Sequence, residues 1–368
     1  MIVNLVRGLV VSGEKVLLIN FKNGALHREL SDLDPSRLTV TDNDTRSIRS
    51  VAHSISTHDV IVTTHFYSVF RLFRRANPKF FFYCVNDSSL SEANRFFGKI
   101  NFPGLTRKCI FFLREKAGIL FGDQYALTKN AERFNFKPED FKLLPVPVPV
   151  PPQNKYLERL HDTNQDAFGF TYVGRAVDWK IYPVKKLIRD LLNRPFNGKK
   201  VALYIVTDNA VQFQKQLPPP DDKMLRVEFF ENLSQKELTE FLCQRSDLHF
   251  GMGTAALDGA RLGIPTVLLD LAFREFPENY RYDFVQDSDA SFIGTDAEAR
   301  HSFPGMTMDD LLTTMCNPAE MKQLSQETYQ YMVSCHDISK ITARLMEEID
   351  HCTVHLKDTS KFLLRYLV

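Results

Sequence analysis

Short apolar, β-branched or aromatic runs alternate along the chain with longer stretches of helical period, and strands separated by helical spacers predict βαβ units on parallel sheets. Runs at residues 2–5, 16–19, 38–40, 60–63, 80–85, 110–113 and 125–127 read as strands of a first sheet. Those at 168–173, 201–206, 227–230, 248–250 and 266–269 read as strands of a second. Between the two sets lies LPVPVPVPPQ at 144–153, whose five prolines forbid a helix and withhold the donors a central strand requires. An extended connector and hinge is expected there, its alternate valines packed against the body. After about Met306 the pattern turns helical, and residues 338–367 are expected to form a terminal helix or helix pair.

The 368 residues have room for two cores, and 44% hydrophobic with 25% charged residues is the balance of an ordinary globular chain. A net charge of +1 argues against a dedicated nucleic-acid binder. Residues 1–160 nevertheless carry 23 Lys+Arg against 15 Asp+Glu, leaving 23 against 30 for the rest, so the halves are expected to face different partners. Six cysteines without a C-x-x-C pair read as reduced, buried thiols of a cytoplasmic protein. No run reaches the roughly 18 apolar residues of a membrane span, so any membrane contact is expected to be peripheral.

Two segments carry candidate chemistry. FGMGTAALDGARLGIPTVLLD (250–270) follows an apolar strand and puts Gly251, Gly253 and Thr254 ahead of a helical run that stops at Gly263 and Pro265. Glycines at such a turn let backbone amides approach an anion, and the geometry of a βα turn alone also selects small residues. FTYVGRAVDWKIYPVKKLIRDLL (170–192) ends a strand at Gly174 and Arg175 and carries Trp179 and Lys180 before a helix. A guanidinium fork and an ammonium beyond the carboxyl end of a strand suit a diphosphate.

These residues resemble the GT-B glycosyltransferases, in particular the retaining family 4 type of bacterial cell-surface polysaccharide synthesis. There the first strand of the C-terminal domain ends in G-R, a lysine follows, and a later motif reads E-G-F-G-L-x-x-L-E-A-x-x-x-G-x-P. The resemblance is specific over about residues 168–270. It implies an α/β GT-B fold: two Rossmann-like domains facing each other across a cleft, with boundaries at 1–150, 151–340 and a terminal helix at 341–368 that packs back on the first domain. It implies that Gly174, Arg175 and Lys180 hold the donor's diphosphate with the amides of Gly253 and Thr254. Asp258 would take the ribose hydroxyls, and Glu231 and Asn232 would lie along the base. No metal or other cofactor is implied, because the two cations can neutralise the leaving group. Phe250 stands where the family has its first glutamate, and would suit an apolar patch on the donor, as on a 6-deoxy sugar.

On the acceptor side, His65 and Asp87 follow strand runs and either could orient or deprotonate an acceptor hydroxyl. Asp87 also reads as a helix N-cap and His65 as a polar strand end. Basic and aromatic residues interleave at 70–82 and 95–116, a pattern suited to an anionic leaflet and a lipid-linked acceptor, or else to buried aromatics beside solvated cations. The D-x-D pairs at Asp32 and Asp34 and at Asp42 and Asp44 read as turns, and His351, Cys352 and His355 as incidental.

The expected activity is therefore transfer of a hexosyl or deoxyhexosyl group from a nucleotide sugar to a saccharide acceptor, at the cytoplasmic face of the inner membrane, in O-antigen or capsule assembly. A sugar-nucleotide epimerase and a non-catalytic sugar-nucleotide-binding subunit are the alternatives.

Overall fold

The computed structural model describes residues 1–20, 29–42, 55–64, 77–85, 90, 103–159, 167–192, 200–217, 224–290, 294–298 and 305–364. They fall into two compact units, one of residues 1–147 with 338–368 and the other of 148–337.

The first unit opens with helix α1 (Ile2–Val11), where a strand was expected from residues 2–5. Its buried Leu5, Val6 and Val10 recur at helical spacing, which a window of four residues is too short to reveal. Strands β1 (Val16–Asn20) and β2 (Leu38–Asp42) pair in parallel, as do β3 (Val60–Thr63) and β4 (Lys79–Cys84). Helix α2 (Pro103–Glu115) follows, then β5 (Ile119–Phe121) on the other edge of β4 and helix α3 (Gln124–Phe134). Residues 110–113 and 125–127 are thus helical, not extended. Leu105, Cys109, Ile110 and Leu113 bury one helical face, and Asp123 caps α3 by accepting the Ala126 N–H at 2.6 Å. β4 is flanked on both sides, so Phe80 to Phe82 are buried without alternation.

The proline-rich segment is extended. Val146 and Val148 are buried, and the carbonyls at alternate prolines are held by side chains: Pro147 by Asn4 Nδ2 at 2.9 Å, Pro149 by Arg261 at 3.4 Å and Pro151 by the Tyr329 hydroxyl at 2.6 Å.

The second unit runs α4 (Lys155–Arg159), β6 (Ala167–Val173), α5 (Asp178–Leu191), β7 (Lys200–Thr207), α6 (Ala210–Gln216), β8 (Leu225–Glu231), α7 (Gln235–Arg245), β9 (Leu248–Gly251), α8 (Thr254–Ala260), β10 (Thr266–Leu268), β11 (Asp283–Phe284), α9 (Met308–Met315) and α10 (Pro318–Cys335). Among the described residues its strands lie in the order β11-β10-β9-β6-β7-β8, all parallel but β11. Apolar residues of this sheet and of α5 form one core, including Phe170, Phe250, Ile205 and Leu187.

Helices α11 (Ile338–His351) and α12 (Leu356–Leu364) belong to the first unit again. Ile341, Leu345, Ile349 and Leu356 complete its core, and a Cβ on Gly8 of α1 would collide with the Thr342 hydroxyl of α11. The Phe80 N–H donates to Val354 O at 2.9 Å, adding the chain's return to the β4 sheet.

Candidate functional site

The strands of the second unit end level. Phe250, Tyr172, Ile205 and Phe229 are register partners across β9, β6, β7 and β8. Three residues beyond them come Gly253, Arg175, Asp208 and Asn232, so four neighbouring loops leave the carboxyl edge side by side. Open parallel sheets bind ligands at this edge.

On the β6 loop, the Arg175 guanidinium is exposed and has no hydrogen-bond or ion-pair partner among the described residues. Lys180 lies in the first turn of α5 and is only 8% exposed, with its ammonium 5.1 Å from the centroid of the Trp179 ring. It too lacks a hydrogen-bonded anion among the described residues. Burial, reinforced by the Arg175 charge and opposed by Asp208, brings its pKa down to about 8. Gly174 is required because a Cβ there would strike the Tyr172 hydroxyl.

Asp208, passed over in the sequence, fixes this loop: its Oδ1 accepts the Ala176 N–H at 2.7 Å. That bond, with lesser help from Thr207 and Arg175, holds its carboxyl below the usual range. The run Thr207-Asp208-Asn209 directly after a strand was the available clue. A second missed device is Pro183 inside α5. Lacking an N–H, it leaves the Trp179 carbonyl free, and the Ala272 N–H takes it at 3.2 Å, tying the loop after β10 to the start of α5.

On the β9 loop, Gly253 has φ +60°, and a Cβ there would meet nothing within 4 Å, so its surroundings are open. The N–H groups of Gly253 and Thr254 have no acceptor among the described residues. Gly251 is demanded by packing, since a Cβ would stand 2.6 Å from Ala256. His249 is fully buried beneath α8, with Nδ1 accepting from the Thr171 hydroxyl and Nε2–H donating to Ala255 O, both at 2.9 Å. Burial lowers its pKa to about 4, keeping it neutral.

Asp258, on α8, is half-buried; its Oδ1 accepts from Gln235 Nε2 at 2.9 Å, which links it to the start of α7. Burial raises its pKa, and the Gln235 bond and Arg261 charge work against that rise. At the end of β8, Asn232 has a left-handed backbone with φ 53° and gives its N–H to Thr207 O. Glu231 Oε1 instead accepts the Ala210 N–H at 2.5 Å, so that carboxylate is engaged at the start of α6.

Phe250 does not line this edge. It is fully buried between Phe170 and Tyr282, with ring centroids at 5.7 and 6.2 Å. The expectation that it offers an apolar surface to a deoxy sugar is therefore overturned, since its strand position directs it into the core.

His65 and Asp87 lie outside the described residues. Of the basic aromatic segments, Phe80 to Phe82 are wholly buried, while α2 presents exposed Arg107 and Lys108 beside half-buried Phe111 and Phe112. Arg107 and Arg114 sit over the Phe111 ring at 5.5 and 5.4 Å. Asp32 pairs with Arg7 at 2.7 Å, and His355 Nδ1–H donates to Asn77 O at 2.9 Å. Cys316 is exposed and Cys243 and Cys335 half-buried, against the expectation that all six thiols are buried. Among the described residues, no helix is long and apolar enough to cross a membrane.

This architecture is the α/β fold of the GT-B glycosyltransferases. A glycosyltransferase from Rickettsia africae aligns with 95% of this chain and 93% of its own at 11% identity and a TM-score of 0.59. The apo structure of OtsA covers 94% of each chain at 12% identity and 0.55. An α-glucosyltransferase solved with UDP and a 13-mer DNA containing a HMU base covers 94% of each at 12% and 0.53. No family model and no curated protein matches the sequence.

Proposed function

We propose that the protein is a glycosyltransferase that moves a hexosyl group from a nucleotide-diphosphate sugar, held by residues 148–337, to a saccharide hydroxyl. The observation that carries this reading is the carboxyl edge: Arg175, exposed and without a hydrogen-bond or ion-pair partner among the described residues, leaves β6 level with the open Gly253 turn, and the largely buried Lys180 side chain, which has no hydrogen-bonded anion there, follows in the first turn of α5. The neighbouring positive charges of Arg175 and Lys180 repel each other, and a ligand's diphosphate is the anion that offsets that repulsion.

In this reading Arg175 and Lys180 take the pyrophosphate oxygens together with the Gly253 and Thr254 amides, and Gly174 lets the β6 loop come close. Asp258 takes the ribose hydroxyls with the oxygen that Gln235 does not occupy. The backbone around Asn232 faces the base, with Glu231 holding that turn to α6. As the bond from the sugar C1 to the diphosphate breaks and a glycosidic bond to the acceptor oxygen forms, charge grows on the diphosphate where the two cations meet it. The acceptor proton passes to Asp87 or His65. Because the cations supply the neutralisation, transfer is expected to persist in EDTA.

The donor half resembles the family 4 pattern except at Phe250, which replaces that family's first glutamate. The cationic, aromatic-rimmed face of α2 supports a lipid-linked acceptor at the cytoplasmic face of the inner membrane, in cell-surface polysaccharide assembly such as O-antigen or capsule. The test is a panel of nucleotide sugars incubated with and without lipid-linked saccharides. Nucleoside diphosphate released only with acceptor is expected; donor conversion without acceptor indicates an epimerase, and binding without turnover a non-catalytic subunit.

A further inference from the structure

We propose that Arg261 is a positioning residue of the nucleotide site, holding the Asp258 carboxylate and coupling it to the segment at Pro149 where the chain enters the second unit. The inference rests on the donor reading of Asp258 above.

Arg261 caps the carboxyl end of α8, one turn beyond Asp258, and is 8% exposed. Its Nη2 donates to Thr239 Oγ1 at 2.6 Å and its Nη1 to Pro149 O at 3.4 Å. Its Nε lies 3.9 Å from Asp258 Oδ1 and is buried without a hydrogen-bond partner. The guanidinium therefore spans three elements, with one donor directed at the carboxylate but short of bonding it. Its fork is planar and rigid, so a shift that brings Nε onto Asp258 also moves the nitrogen that holds Pro149.

Pro149 has no N–H of its own, and its neighbours are secured elsewhere: the Val148 N–H donates to His336 O at 2.8 Å and Pro151 O accepts from Tyr329. Arg261 is thus the tether of this segment that also faces the candidate nucleoside subsite. A ribose that draws on Asp258 redistributes the carboxylate's hydrogen bonds, and linkage requires that the segment and the nucleotide then affect each other's free energy reciprocally.

The test uses the full chain with UDP, GDP, ADP and dTDP, reading dissociation constants by calorimetry and amide hydrogen exchange in peptides covering residues 146–151. In the wild type the nucleotide that binds is expected to slow exchange there. Arg261→Met should weaken that nucleotide about tenfold and abolish the protection. Arg261→Lys should recover most of the affinity but not the protection, because a point donor cannot span both partners. Thr239→Val, which loosens Arg261 without touching Asp258, should reduce the protection and guards against a folding failure in the Met variant. Wild-type protection retained in both Arg261→Met and Thr239→Val overturns the coupling while leaving the donor reading intact. Binding of none of the four nucleotides to the wild type overturns both.

Discussion

A Cβ on Gly259 would stand 2.5 Å from the imidazole carbons of His249, so α8 lies directly on that ring. Gly259→Ala must push the helix that carries Asp258 away from the sheet. The overpacking, about 1–3 kcal/mol, exceeds the roughly 1 kcal/mol that alanine gains over glycine in a helix. Chemical denaturation should show a net loss of stability, and nucleotide affinity should fall with it.

His249 gives the fold an acid sensitivity. Its folded pKa of about 4 lies below the ordinary 6.5, so the unfolded chain binds the extra proton between those values. Stability should therefore decline as pH falls from about 6.5 to 4, by roughly 3 kcal/mol at most from this group. Denaturation midpoints of wild type and His249→Gln across that range check it, the variant showing a shallower slope.

Lys180 works at the other end of the scale. With a folded pKa of about 8 against 10.5 unfolded, its contribution to stability rises as pH increases through that window. Diphosphate affinity should move oppositely, weakening above about pH 8 as the ammonium is lost. Calorimetry near pH 8.5 in buffers of different ionisation enthalpy should report proton uptake on nucleotide binding, absent in Lys180→Met.

Arg175→Ala should abolish transfer and weaken nucleoside diphosphate binding by about 10–100-fold, the loss of a charge-assisted contact. Because the side chain is exposed and unpartnered, the melting temperature should stay unchanged. Unaltered nucleotide affinity would count against the diphosphate assignment.

Asp258→Asn separates the nucleoside from the phosphates. It keeps an acceptor for Gln235 while removing the charge, so nucleoside diphosphate affinity should drop about tenfold. Competition by inorganic pyrophosphate should stay as in the wild type.

The βα alternation of the second unit was legible because β6, β7 and β8 are seven or eight residues long and largely apolar, and β6 to β9 end at glycine or asparagine turns. In the first unit, runs of three or four apolar residues at 2–5, 110–113 and 125–127 do not distinguish strand from helix, and the three-residue β5 escaped notice. The loop motifs at Gly174–Arg175 and Gly251–Gly253 could be picked out by composition. That they leave adjacent strands in step depends on strand order and register, which no local spacing encodes. For the same reason Asp208, Gln235 and Arg261 were invisible: each acts on a residue 23 to 112 positions distant or on another element. Phe250 misled because motif alignment gives a position but not the face of the strand.

Residues 338–364 supply Ile341, Leu345, Ile349 and Leu356 to a core begun by Leu5 and Phe80. A ribosome finishing this chain must therefore emit the entire second body before the first can close, so early translation products expose the Phe80 to Phe82 strand unguarded. Cotranslational chaperone demand should track that interval, and losing the final 31 residues should ruin the first unit before the second.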